Sequence, residues 1–260
     1  MHSRLSLLLS AFLLTAFVSA SRADYDVRPY VLNGQLTTGG YDDGTSDFIP
    51  ALRVFQYAFQ EELDDPYFTS DPGFNANTAS GIPGGSQISF NILSGAQFGL
   101  PSNFTYWNGN DTDPSTPGLQ VGFGLVPNNE TITFSFGSSN VTVSNAAGSG
   151  DQAGFLLQTV TSTGAMHRHL GAQLNGGSGL PTDGIYLLAM NITSNAPGVA
   201  TSDPFFVLYN NGLSDEQMAL AYDYVTNHVV VPEASSLMLG AVGMTAITGI
   251  WMKKRRVATA

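Results

Sequence analysis

Thr131-Ile132-Thr133-Phe134-Ser135-Phe136 and, beyond Gly137-Ser138-Ser139, Asn140-Val141-Thr142-Val143 alternate apolar with polar side chains in strict period two. Successive side chains leave a pleated strand on opposite faces, so this period marks strands with one face in a core. The Gly-Ser stretch between the runs makes the pair a hairpin.

The pattern continues outward from that hairpin. Phe55, Tyr57 and Phe59 share one face of Arg53–Gln60, and Ile88, Phe90 and Ile92 share one face of Gln87–Ile92. Further strands are expected at Arg28–Leu36, Phe104–Trp107, Leu119–Val126, Gly154–Val160, Met166–Leu174, Gly184–Ile192 and Phe205–Tyr209. Short strands separated by Gly, Pro, Asn and Asp predict an all-β fold, an antiparallel β-sandwich of jelly-roll type, rather than a βαβ sheet. One helix is expected near the C-terminal end. Ser214-Asp215-Glu216-Gln217 has capping-box spacing, and Met218, Ala219, Ala221, Tyr222 and Val225 follow at helical intervals to about Asn227. The segments Asp42–Asp47 and Asp64–Pro83 read as acidic, Gly-rich loops.

Both ends of the 260-residue chain differ in composition from its body. Arg4, an apolar run from Leu5 to Val18, and small residues at Ala20 and Ala23 predict a signal peptide over residues 1–23, cleaved after Ala23. At the other end, Val231-Pro232-Glu233-Ala234 precedes an uncharged apolar run over 235–252 and then Lys253-Lys254-Arg255-Arg256. That run matches the roughly 17–25 residues a transmembrane helix needs, and the basic cluster should stay cytoplasmic.

Pro-Glu, short apolar helix and basic cluster in this order resemble the PEP-CTERM sorting signal. The resemblance implies export, at least transient membrane anchoring through the C-terminal helix, and exosortase as a processing partner alongside the export machinery. An ordinary tail anchor is the alternative for the same segment. Asp71-Pro72-Gly73-Phe74, His167-Arg168-His169-Leu170, Ser202-Asp203-Pro204-Phe205-Phe206 and Asn210-Asn211-Gly212-Leu213-Ser214 resemble phrases in exported PEP-CTERM proteins of Planctomycetes. That likeness implies organisation and export, and no catalytic residues. The expected division is thus signal peptide 1–23, β-sandwich 24–230 and sorting signal 231–256.

Setting the ends aside exposes the charge of the body. Only Arg28, Arg53 and Arg168 of the nine basic residues lie between Asp24 and Glu233, against all twenty acidic ones, so that stretch balances about −17 where the whole chain shows −11. A body without lysine and so acidic excludes nucleic acid as a partner, since phosphate backbones need a basic surface. Divalent cations, basic polymers or a salty exterior are natural counterparts, and solubility alone is the plainer reason for the charge. The chain has no cysteine, so neither a disulfide nor a thiolate ligand is available.

Among candidate sites, Met166-His167-Arg168-His169 stands first, because residues two apart on a strand put both imidazoles on one face within reach of a shared cation. Cupins use such a His-x-His pair with a following Glu and a later third His. Here Gln173 stands at the Glu position, and His228 lies near the C-terminal apolar run. Asp183 is the carboxylate expected to complete a metal set, with Asp151 as another choice; two partly exposed strand histidines without a metal are the alternative. Asp42-Asp43, Glu61-Glu62-Leu63-Asp64-Asp65 and Asn108-Gly109-Asn110-Asp111-Thr112-Asp113 offer oxygen ligands for calcium, but none fits the EF-hand spacing. Tyr106 and Trp107 suggest a sugar platform or buried strand aromatics. No Gly-x-Ser-x-Gly elbow occurs, and a lysine-bearing phosphate loop is impossible in this body.

The expectation is an exported, non-enzymatic β-sandwich of the cell envelope, surface or matrix, structural or adhesive, contributing to surface or biofilm structure. Binding of zinc or calcium by His167, His169 and Asp183 is the alternative, and a cupin-like metalloenzyme the third.

Overall fold

The structure, a computed structural model, describes residues 25–59, 65–110, 121–146 and 149–230. The expected signal peptide with Ala23, the motif Val231-Pro232-Glu233-Ala234, the apolar run 235–252 and Lys253, Lys254, Arg255 and Arg256 all lie outside these residues. No helix among the described residues is long and apolar enough to cross a membrane.

The strands are β1 (Asp26–Leu32), β2 (Gln35–Tyr41), β3 (Phe48–Pro50), β4 (Val54–Ala58), β5 (Phe68–Thr69), β6 (Gly73–Ala76), β7 (Gln87–Ile92), β8 (Thr105–Trp107), β9 (Gly124–Leu125), β10 (Thr131–Phe136), β11 (Ser139–Ser144), β12 (Gln152–Thr159), β13 (Met166–His169), β14 (Gly171–Asn175), β15 (Gly184–Ser194) and β16 (Phe205–Asn211). A single α-helix among the described residues, α1 (Asp215–Tyr224), follows them. The strands form a five-stranded sheet in the order β13-β6-β1-β2-β3 and a four-stranded sheet β11-β10-β14-β5. A seven-stranded sheet holds β12-β7-β15-β16-β4, with β8 paired to β15 and β9 to β8.

The β10–β11 hairpin forms as its alternation requires. Phe136 faces Ser139 in the ladder, so the turn is the pair Gly137-Ser138, with Gly137 at φ 58°. Ile132, Phe134, Val141 and Val143 enter the core, and Thr133 Oγ1 meets Thr142 Oγ1 at 2.9 Å on the outer face. The core draws on all three sheets, with Val27 and Phe74 from the first, Phe134 and Leu174 from the second, and Phe90, Tyr186 and Val207 from the third.

The seven-stranded sheet is covered on its other face as well. Ile185, Leu187, Phe206 and Leu208 pack there with Met218 and Ala221 of α1 and with Val225 and Val229 beyond it. Strands buried on both faces lose alternation and read as continuous apolar runs, which explains Ile185–Met190 and Phe205–Tyr209. Burying each large apolar side chain there contributes about 1.5–3 kcal/mol. The capping box starts α1 as expected, with Gln217 N donating to Ser214 Oγ at 3.4 Å and Ser214 N to Gln217 Oε1 at 3.0 Å.

Four expectations need correction. Arg28–Leu36 is not one strand, because Asn33 (φ 52°) and Gly34 (φ 81°) turn the chain back as the β1–β2 hairpin. Met166–Leu174 breaks at Leu170, where the chain leaves the first sheet for the second, and Leu170 N bonds Pro72 O at 3.2 Å. The described part of Asp64–Pro83 is not all loop, since it supplies β5 and β6. Pairing is not wholly antiparallel either: β1 runs parallel to β6 and β4 parallel to β16. The first of these parallel contacts positions the site.

Candidate metal centre

Strand β13 is an edge strand whose partner is β6. Its alternation sends Met166 into the core and leaves His167 and His169 on the outer face. The Arg168 guanidinium lies over the Phe136 ring at 4.0 Å. Across the ladder His167 faces Asn75 and His169 faces Gly73. On the far side of β6, Val27 pairs with Phe74, which brings the neighbouring Asp26 to the same place.

The imidazoles meet, with Nε2 of His167 2.9 Å from Nε2 of His169. Asp26 Oδ2 lies 4.0 Å from His167 Nε2, and Asp26, His167 and His169 each present a ligand atom within 4.8 Å of the others. This group could hold a metal ion. The histidine side chains are 55% and 42% exposed and that of Asp26 10%, so two exposed imidazoles stand beside a largely buried carboxylate.

Two of the three ligands are held from behind. His169 Nδ1 faces Ser70 O at 3.2 Å and Asp71 Oδ1 at 3.7 Å, which turns Nε2 toward the group, the arrangement by which an outer carbonyl or carboxylate orients a metal-binding imidazole. Asn75 Nδ2 donates to Asp26 Oδ2 at 3.4 Å and to Asp43 Oδ1 at 2.8 Å. Arg28 Nε donates to Asn75 O at 3.3 Å while its guanidinium covers the Tyr41 ring at 3.6 Å, tying β6 to the end of β2. Gly73 makes the convergence possible: a Cβ there would overlap Asp26 Oδ1 and come within 2.8 Å of His169 Cε1. Burial pushes the Asp26 carboxyl above its ordinary pKa and the Asp43 charge adds to this, while His169, the Asn75 amide and His167 pull it down.

Two imidazoles with a carboxylate suit zinc and neighbouring transition ions, whereas calcium prefers oxygen alone. A tetrahedral zinc shell at about 2.0–2.1 Å sets neighbouring ligand atoms about 3.3 Å apart. The 2.9 and 4.0 Å separations straddle that value.

No known protein family, curated protein or solved structure matches the chain.

The His-x-His pair is therefore assembled as its spacing predicts, but its carboxylate partner is Asp26. Asp183 is outside the group: it precedes β15, and its carbonyl accepts from Tyr106 Oη at 2.8 Å. Asp151 Oδ1 instead takes Ser94 N and Gln97 Nε2 at 2.8 and 2.7 Å. Gln173, at the cupin Glu position, sits on β14 with its amide 3.3 Å from Tyr67 O. His228 stacks on Tyr224 and faces Tyr224 O.

The other oxygen-rich candidates satisfy local geometry. Asp42 Oδ1 accepts from Gly44 N at 2.7 Å and Thr45 N at 3.3 Å, Asp65 Oδ1 accepts from Tyr67 N, and Asn108 Oδ1 accepts from Asn110 N. Glu61, Glu62, Asp64, Asp111 and Asp113 lie outside the described residues. Trp107 is buried and Tyr106 half-buried against Tyr186, so the pair is part of the core rather than a sugar platform.

Proposed function

We propose that this chain is an exported, non-enzymatic β-sandwich protein that holds a divalent transition cation, zinc by ligand chemistry, at Asp26, His167 and His169. The observation that carries the reading is the convergence of two imidazole nitrogens and one buried carboxylate on the outer face of the β13-β6-β1 sheet. Outer partners on His169 and Asp26 support it, because a metal-binding group needs its ligands oriented before the ion arrives.

Delivery to the envelope is the second part of the proposal. It is supported by the leader and by Val231-Pro232-Glu233-Ala234, the apolar run and Lys253-Lys254-Arg255-Arg256, which resemble a PEP-CTERM signal for an exosortase. The lysine-free acidic body favours an extracellular structural or adhesive role, in contact with polymer and cations.

Zinc titration by calorimetry of the full-length protein in mild detergent tests the metal site. Micromolar or tighter binding that disappears in the His167→Ala/His169→Ala variant supports it; no heat of binding at micromolar zinc sinks it. The intact mass of protein recovered from its native envelope tests the delivery, since retention of residues 235–260 refutes processing.

A further inference from the structure

We infer that Asp43 is a fourth ligand, closing the centre as an all-protein site of two nitrogens and two oxygens that clasps the β2–β3 loop and the start of β1 to the edge strand β13. The inference rests on the metal reading above and specifies its coordination.

Asp43 Oδ2 lies 3.7 Å from His167 Nε2, yet outside the mutual 4.8 Å group of Asp26, His167 and His169, so as a ligand it joins by a swing of its exposed side chain. Its other oxygen is occupied by Asn75 Nδ2 at 2.8 Å, and the same amide reaches Asp26. One amide thus draws two carboxylates together beside two imidazoles. Like charges so placed repel, and a divalent cation is the partner that reverses the sign of that interaction.

The neighbouring aspartates divide the work. Asp42 spends both carboxylate oxygens on its own loop, taking Gly44 N and Thr45 N on Oδ1 and Thr45 Oγ1 on Oδ2 at 3.0 Å. Its backbone closes the same loop, with Ser46 N donating to Asp42 O at 2.7 Å and Asp42 N to Asp47 O at 3.1 Å. The loop so shaped presents Asp43, 52% exposed, to His167. Asp71 is no rival for the position, because it faces the opposite ring nitrogen of His169 and accepts from Gly73 N.

Four protein ligands leave no coordination position for a substrate or a reactive water, so the ion serves as a staple rather than a catalyst. It does in this cysteine-free chain what a disulfide does elsewhere, joining segments remote in sequence. The histidines also sit on a sheet edge, and the clasp fixes that edge.

The test compares full-length wild type with Asp43→Asn, Asp43→Ser and His167→Ala, using zinc affinity and the visible spectrum of the cobalt(II)-loaded protein. Wild type should show the intense bands of four-coordinate cobalt. Both Asp43 variants should lose about 10–100-fold in zinc affinity, the scale produced by losing even an outer partner of a zinc ligand. Their cobalt bands should weaken as water replaces the carboxylate, while metal-free melting stays at the wild-type temperature. Zinc affinity and cobalt spectrum unchanged in both variants would overturn the fourth-ligand inference while leaving the three-residue site intact. A wild type that binds neither zinc nor cobalt overturns both.

Discussion

The phenolic oxygen of Tyr186 lies 2.6 Å from Oε2 of Glu130 in the interior of the protein, where Glu130 has no exposed surface. Thr182 donates to Glu130 Oε1 through both N, at 2.8 Å, and Oγ1, at 2.6 Å. Three donors on a single carboxylate knit the start of β10 to the start of β15, so this buried acidic group is satisfied by the chain itself.

Replacement of Glu130 by Ala removes the acceptor of the part-buried Thr182 N and Oγ1, while Tyr186 Oη keeps the Thr182 carbonyl at 2.7 Å. Leaving the two Thr182 donors without that acceptor costs about 1–3 kcal/mol. Urea unfolding should show a large fall in midpoint for Glu130→Ala and a smaller one for Glu130→Gln. A midpoint within error of wild type for Glu130→Ala would contradict the network.

Gly73→Ala forces Asp26 and His169 apart, since the new methyl occupies the place of Asp26 Oδ1. Zinc affinity should fall by about tenfold or more, comparable to loss of a ligand-orienting partner. The readout is competition against a chromophoric chelator; unaltered affinity means that Asp26 does not bind the ion.

Alkaline pH should destabilise the protein through its buried tyrosines. Burial holds the Tyr209 hydroxyl well above its ordinary pKa, with the Asp71 charge adding to the effect, and burial together with Glu130 does the same at Tyr186. A raised folded pKa gives stability that is complete below the unfolded value, about 10, and is lost as pH climbs beyond it toward the folded value. Each such group steepens the decline by about 1.4 kcal/mol per pH unit. Thermal melts between pH 9 and 11.5 (values about the ordinary tyrosine pKa) should therefore fall less steeply in Tyr209→Phe than in wild type, and parallel curves would rule this out.

Strand alternation at Ile132 and Phe134, and the Ser214–Gln217 cap, were legible because they depend on neighbours in the chain. Asn33-Gly34 carried a hairpin signal that alternation over 28–36 concealed, although Asn-Gly is a favoured two-residue turn. The split at Leu170 is marked locally only by Gly171, whose signal is masked because apolar residues on either side serve the same core. At the site, the His-x-His pair was legible from strand periodicity alone. Asp26 was not, because its approach depends on the parallel contact of Val27 with Phe74, and a parallel pairing leaves no turn in the sequence to announce it. Gly73 had no reading until the crowding of Asp26 and His169 gave it one.

The place of α1 has a consequence for the sheet it covers. Met218 and Ala221, with Val225 and Val229 just beyond the helix, hold this C-terminal segment against the outer face of the seven-stranded sheet. Lifting the segment away would bare Ile185, Leu187, Phe206 and Leu208, while the ladder from Gly184–Asn211 to Met190–Phe205 keeps its own backbone pairing.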